Sequence, residues 1–195
     1  PATKHFSENA DRTYFFTATP KHSRTIKRIG MNNPQVYGNV ICQVPAPKLV
    51  DDGFILPPKV KLKQFDIIED RQQIPERDSE HLIATIDDND INKSLICARS
   101  TKQIVRLFSD SPFATDLWDR GYSWMYITAK TGAVIDGRKV DRETFFNTLN
   151  EWGKTDKKFV VVHHSILSEG INVKGLEAVL FMRNMDYITI SQSIG

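Results

Sequence analysis

The sequence predicts an α/β fold built on a parallel sheet. Short apolar and β-branched runs are separated by stretches with helical periodicity, a pattern typical of βαβ units. Near the end of the chain, a polar loop closed by Gly170 lies between two such runs. Because α/β proteins bind ligands beyond the carboxyl ends of parallel strands, this loop indicates a binding site at that edge of the sheet.

The strands follow from runs that are too short for helices and rich in β-branched or aromatic residues. The last four of them are expected to be central in the sheet. The predicted strands cover residues 13–16, 59–67, 95–98, 123–128, 159–162 and 178–182.

The helices follow from apolar residues that recur at helical spacing. Leu82, Ile83 and Ile86 place one helix over residues 76–86. Ser100 occupies the N-cap position of the next helix. A later helix begins near Asp141 and is predicted to end at Gly153 as its C-terminal cap. Residues 131–137, which contain Thr-Gly and Asp-Gly pairs, are predicted to form a loop.

Composition restricts the class of protein. The chain has 195 residues, of which 40% are hydrophobic and 26% charged, as in a globular domain with a core. A net charge of +2 means that any basic surface for nucleic acid must be local. With no long apolar run and no leader pattern, we expect a cytoplasmic protein without a membrane partner. Cys42 and Cys97 are expected to be reduced and buried.

Two short patterns invite assignments that their context opposes. The tripeptide at Gly153, Gly-Lys-Thr, has a helical pattern before it and a strand after it, the reverse of a phosphate-binding loop. Adjacent His163 and His164 point to opposite faces if they end a strand, so they do not share a metal ion. From the residues alone, His164 is expected to be structural.

Two segments near the end of the chain carry a family resemblance. Residues 169–173 read Glu-Gly-Ile-Asn-Val and residues 192–195 read Gln-Ser-Ile-Gly. They resemble motifs V and VI of superfamily 2 helicases and nucleic-acid translocases. Asn172 stands where the family has aspartate, and the arginine expected after Gly195 lies beyond the sequence.

An upstream segment extends the resemblance in the order that the family requires. Thr17, Ala18 and Thr19 directly follow a predicted strand and resemble motif III of the first motor domain. Residues 49–60 resemble the crossover between the two motor domains of restriction-type and repair-type translocases. We therefore place residues 1–56 at the end of a first RecA-like domain, and residues 57–195 in a second one truncated at motif VI.

The resemblance implies a RecA-like parallel sheet with helices on both faces and a motor that couples ATP hydrolysis to movement along nucleic acid, with DNA favoured over RNA. In the intact protein, ATP and Mg²⁺ would bind between this domain and the first RecA-like domain of the same chain. Without a phosphate loop, this segment alone is expected to bind neither and to be inactive. The residues it implicates are Gln192 for catalysis, Gly170, Asn172, Gln192 and Gly195 for nucleotide binding, Thr17, Ala18 and Thr19 for coupling, Ser100, Thr128 and His164 for nucleic-acid binding, and none for a metal.

Two other functions remain open. The first is a RecA-like module that no longer hydrolyses ATP and instead binds nucleic acid or regulates a partner. Asn172 in place of aspartate favours this alternative. An unrelated Rossmann-like enzyme is the other alternative, but no Gly-x-Gly-x-x-Gly pattern follows a strand in the sequence.

Overall fold

A computed structural model describes residues 5, 8–17, 20–25, 29–57, 59–64, 68–164 and 173–183. The chain divides into two compact units, Pro1–Lys63 and Gln64–Gly195. This division falls close to the predicted boundary at residue 57. The assignment of the two parts to two motor domains stays a prediction.

The first unit has little regular structure among its described residues. Helix α1 is Pro34–Tyr37, with the Asn33 side chain accepting a hydrogen bond from the backbone N–H of Gln35, and helix α2 is Ala46–Asp51. No described residue of this unit is buried. Cys42 is therefore exposed, and only Cys97 in the second unit is buried as predicted.

The strands predicted in the first half of the chain are wrong where the structure describes them. Residues 12–17 and 59–64 form neither helix nor strand. The side chain of Phe16 is 93% exposed and that of Leu62 is 97% exposed. An extended segment needs a paired neighbour to become a strand, and no strand is described in the first unit to provide one.

The second unit alternates helices and strands. Its elements, in chain order, are α3 (Ile74–Asp88), β1 (Lys93–Cys97), α4 (Thr101–Ser109), α5 (Phe113–Asp119), β2 (Ser123–Thr128), β3 (Gly132–Ile135), β4 (Arg138–Val140), α6 (Arg142–Gly153), β5 (Phe159–His163) and β6 (Ala178–Phe181).

The strands form one sheet in the order β4-β3-β2-β5-β1-β6. The four strands β2, β5, β1 and β6 are parallel, while β3 and β4 are antiparallel additions beside β2. The prediction of an α/β fold is therefore confirmed, with a sheet that is mostly rather than wholly parallel. The strand predicted at residues 178–182 is present as β6, but its predicted central position is wrong. Among the described strands, β6 lies last in the order of the sheet.

Helices cover both faces of this sheet. Alternate strand residues face α3, α4 and α5 on one side, where Ile96, Val160 and Val162 pack against Ile86 and other helix residues. The intervening residues face α6 on the other side, where its side chains pack against those of β1, β2 and β5. This alternation follows from the pleat of a strand, and it explains why the parallel strands read as continuous apolar runs.

A hairpin replaces the loop predicted at residues 131–137. β3 and β4 pair through a turn at Asp136 and Gly137, whose φ angles are 44° and 81°. Positive φ at both central residues is the geometry of the tight hairpin turn that Asp-Gly favours. The prediction was wrong because these strands have only four and three residues, which leaves little apolar alternation to detect.

The predicted helix starts are confirmed, and one predicted helix end is wrong. Ser100 caps α4 and Asp141 caps α6 through their side-chain oxygens. Gly153 is the last residue of α6 rather than its cap. An added Cβ there would lie 2.6 Å from the carbonyl oxygen of Lys174, so this glycine permits close approach of the chain that leads into β6.

Candidate functional site

The parallel strands β2, β5, β1 and β6 end side by side. In the register of the sheet, His163 pairs with both Ile127 and Cys97, and Cys97 pairs with Phe181. The residues that follow these strands therefore share one edge, which we call the carboxyl edge. It consists of Ala98, Arg99, Ser100, Thr128, His163, His164 and Arg183.

Three predicted nucleic-acid contacts lie on this edge. Ser100 follows β1, Thr128 ends β2 and His164 follows β5. They are far apart in the sequence, but the parallel strands that carry them end at the same edge of the sheet. The structure therefore places them where an α/β fold binds ligands.

Ser100 and Thr128 also stabilise the local backbone. The hydroxyl of Ser100 accepts a hydrogen bond from the backbone N–H of Gln103 at 3.2 Å. The hydroxyl of Thr128 accepts one from the backbone N–H of Thr131 at 2.9 Å and lies 2.6 Å from the Thr131 hydroxyl. Since Thr128 is only 3% exposed, it supports the turn after β2, and Ser100 is the more accessible of the two.

His164 is half-buried and tied to the end of β1. Its Nδ1 lies 3.1 Å from the carbonyl oxygen of Ala98 and 3.5 Å from Nη1 of Arg183. A carbonyl only accepts and a guanidinium only donates, so Nδ1 cannot satisfy both. The shorter distance favours an Nδ1–H that donates to Ala98.

His163 belongs to the core beneath the edge. It is 1% exposed, continues the β5 face that packs on α6, and places Nε2 3.1 Å from Sγ of Cys97. Burial lowers the pKa of His163 to about 4, with the positive charges of Arg183 and His164 adding to the effect. The imidazole is therefore neutral near pH 7 and does not offer a charge to a ligand.

The two histidines are directed toward different surroundings. As predicted, neighbouring positions at the strand end direct them differently: one contacts a thiol in the core, the other a carbonyl at the edge. Within the part of the chain that the structure describes, no group of three or more His, Cys, Asp or Glu side chains could hold a metal ion.

Two arginines complete the edge, and sequence reasoning missed both. Arg99 directly follows Ala98 and is exposed. Within the described ranges its guanidinium makes no ion pair. Arg183 follows β6 by two residues, and its Nη1 approaches His164. Each is the first cation after a parallel strand, so the rule that α/β proteins bind ligands beyond the carboxyl ends of such strands could have selected both.

The other predicted site residues cannot be located with these. Ala18, Thr19, Gly170, Asn172, Gln192 and Gly195 lie outside the described residues. Thr17 belongs to the first unit and is exposed.

The Gly-Lys-Thr tripeptide at residues 153–155 begins at the last residue of α6 and precedes β5. This is the helix-to-strand order inferred from the sequence. A phosphate-binding loop requires the opposite order, so that its amides and the following helix N-terminus meet phosphate. The tripeptide is therefore not placed to bind nucleotide phosphates in that way.

The chain was compared with known proteins. None of the protein-family models matches it, and no curated protein matches it significantly. Among the residues that the structure covers, no helix is both long and apolar enough to cross a bilayer.

Proposed function

We propose that this chain is part of an ATP-dependent helicase or translocase of the superfamily 2 type, in which residues 57–195 belong to the second RecA-like domain. The observation that carries the proposal is the convergence of Ser100, His164 and two arginines on the carboxyl edge of a mostly parallel sheet. The edge would contact the backbone of a nucleic acid, with DNA favoured over RNA.

The chemistry of the edge suits phosphate. Arg99 and Arg183 supply guanidinium donors, which form the strongest hydrogen bonds to phosphate oxygens. The Ser100 hydroxyl adds a neutral donor. Contacts of this kind position a protein on a nucleic-acid backbone without reading its sequence. They also reconcile the net charge of +2 with binding, because the positive charge is local.

The first unit supports a multidomain motor. Its described residues include no buried side chain, while Phe16, Leu56 and Leu62 are 93%, 89% and 97% exposed. Apolar side chains in such numbers ordinarily pack against other protein. The end of a first RecA-like domain, whose core is completed by other residues, would have this property.

In this proposal ATP and Mg²⁺ bind only in the intact motor. The residues that the resemblance assigns to nucleotide lie outside the described ranges, and no group of three or more metal-ligating side chains occurs within those ranges. When bound in the intact motor, the nucleotide would supply the free energy for movement through closure of the two domains. The part assigned to this unit is to hold the nucleic-acid backbone.

Binding of a fluorescein-labelled oligodeoxythymidine, measured by anisotropy, tests the proposal. We expect a Kd of about 1–100 μM near physiological salt, weakening steadily as salt is added. Replacing Arg183 with alanine should weaken binding several-fold, whereas Lys139→Ala, which removes an exposed cation on β4 away from the edge, should not. Equal losses from both variants, or no binding by the unaltered chain, would contradict the proposal.

Measuring ATP hydrolysis distinguishes the proposed motor from the second candidate, a binding module that does not hydrolyse ATP. Asn172 in place of the family's aspartate favours the second candidate. The 195-residue chain should release no phosphate from ATP, with or without oligonucleotide, because its sequence has no phosphate loop. Turnover that disappears in Lys154→Ala would show that the Gly-Lys-Thr tripeptide does bind nucleotide. An intact protein that binds DNA without DNA-stimulated hydrolysis would favour the module.

A further inference from the structure

The link between β1 and α4 carries Arg99, one of the two arginines of the carboxyl edge, and a network that fixes its backbone. We propose that Arg99 contacts a nucleic-acid phosphate and that Gln103 and Asp78 are positioning residues for it. This inference rests on the proposed function of the carboxyl edge and names a contact within it.

Gln103 uses both ends of its amide to hold the link. Its Oε1 accepts a hydrogen bond from the backbone N–H of Arg99 at 2.8 Å, and its Nε2 donates to Oδ2 of Asp78 at 2.8 Å. Its own backbone N–H donates to the Ser100 hydroxyl. The orientation of the amide is fixed, because an N–H needs an acceptor and a carboxylate needs a donor.

Asp78 anchors this network to the core. It lies on α3, is 9% exposed, and its Oδ1 accepts a hydrogen bond from Nη2 of Arg77 at 2.8 Å. Leu82 and Ile83 of the same helix are buried against the sheet. The backbone of Arg99 is therefore attached through Gln103 to a helix that packs on the core.

Arg99 is exposed, while the link that carries it is held at both ends. The carbonyl of Ala98 accepts from His164, and the N–H of Arg99 donates to Gln103. Holding the backbone in place removes the ordering of the link from the entropy that binding costs, while the side chain still loses its own rotamer freedom. The geometry thus keeps Arg99 at a fixed position beside Ser100 and His164 on the carboxyl edge.

Removing the guanidinium should change both affinity and salt dependence. For Arg99→Gln we expect about tenfold weaker oligodeoxythymidine binding. The slope of log K against log salt should also become shallower by about 0.7, the value for one phosphate contact on a single strand. Lys139→Ala is the control for loss of one positive charge away from the edge.

The positioning role is tested by exchanging the two hydrogen-bonding partners. Asp78→Asn removes a negative charge, which by charge alone should tighten binding to DNA. The single amide oxygen of the introduced asparagine can accept from Arg77 or from Nε2 of Gln103 but not from both, so the hold on Gln103 and Arg99 should loosen and binding should weaken about fivefold. Gln103→Glu should weaken binding as well, because it sets a carboxylate against Asp78.

The double variant Asp78→Asn with Gln103→Glu restores every hydrogen bond. The introduced asparagine amide would donate to the introduced glutamate carboxylate, which would still accept from the N–H of Arg99. We expect its affinity and salt slope to return to those of the unaltered chain. In an Arg99→Gln background, neither single variant should weaken binding further, since the residue that they position is gone.

Thermal melting of each variant shows whether stability alone explains the losses. A lower melting temperature without weakened binding would overturn the positioning role, as would a double variant that regains stability but not affinity. An Arg99→Gln protein with the original salt slope would overturn the phosphate contact. If the unaltered chain binds no oligonucleotide, the proposed function of the edge fails together with this inference. If the unaltered chain binds and Arg99→Gln binds equally well, only this inference is overturned.

Discussion

Two adjacent histidines at the carboxyl edge differ in how deeply they are buried and in what they contact. His163 and His164 are adjacent, yet only His163 is enclosed, with 1% of its surface exposed. Its neutral ring meets a thiol, while the ring of His164 meets a carbonyl at the surface. The same residue type therefore contributes to stability at one position and to the candidate site at the next.

Burial of His163 makes stability depend on pH in a defined window. The pKa is about 4 in the folded protein and 6.5 without the fold. Above pH 6.5 both states are neutral and stability is at its full value. As the pH falls from 6.5 toward 4, the unfolded chain takes up a proton that the folded chain excludes, so stability falls by about 3 kcal/mol.

Urea unfolding across this pH window checks the prediction, with His163→Gln as the control. Glutamine is neutral throughout, so the variant should lose less stability than the unaltered chain as the pH falls. Identical pH profiles for the two proteins would show that His163 does not cause the loss.

The site could be predicted in part because the motifs that carry the family resemblance are short and local in sequence. The resemblance selects Ser100 and His164, and each lies just after an apolar run. The sequence does not show that Arg183 lies beside His164, because this depends on β1 lying between β5 and β6 in the sheet. Strand order arises from long-range packing, which residue patterns do not encode directly.

Among the elements, those with strong periodicity or good caps could be predicted, and those that depend on a partner could not. Helix α3 has Leu82, Ile83 and Ile86 on one face, and α4 begins at a serine cap. Helix α5, which has only seven residues, was not predicted. The extended segment at residues 13–16 has strand-forming residues but no described strand to pair with.

The β3–β4 hairpin should be sensitive to backbone conformation at Gly137. Its φ is 81°, and an added Cβ would meet no atom within 4 Å. The loss on Gly137→Ala is therefore conformational, and we expect about 1–2 kcal/mol in urea unfolding. Gly137→Asn should lose less, because asparagine tolerates positive φ better than alanine. Equal losses for the two substitutions would argue against this origin.

Replacing Gly153 with alanine should also destabilise the protein, but through a steric contact rather than through backbone conformation. Replacing a helical glycine with alanine ordinarily stabilises a helix by about 1 kcal/mol. Here the new Cβ would lie 2.6 Å from the backbone oxygen of Lys174, so Gly153→Ala should destabilise the protein by about 1–3 kcal/mol. Glu151→Ala, at an exposed position of the same helix, is the control. A stabilising Gly153→Ala would mean that the chain at Lys174 moves away without cost.

For the whole molecule, the core belongs to the second unit. Among the described residues, the core aliphatic and aromatic side chains that are buried lie between Leu82 and Val162, and the first unit contributes none. A variant lacking residues 1–63 should therefore melt within about 3 °C of the full chain. Circular dichroism during heating measures this. A substantially lower Tm would show that the first unit stabilises the second.

The order of strands in the sheet also bears on the order in which the molecule folds. The β2–β3–β4 meander joins residues close in sequence, such as Met125 and Ile135, whereas the edge needs Cys97 and His163, 66 residues apart. Closing a long loop costs more entropy and is slower than forming a local pair. In pulse-labelled hydrogen exchange, we expect the hairpin amides to gain protection before the Ala98 amide, which donates to His163. A chain emerging from the ribosome would then complete the carboxyl edge last, only after β5 and β6 have been synthesised.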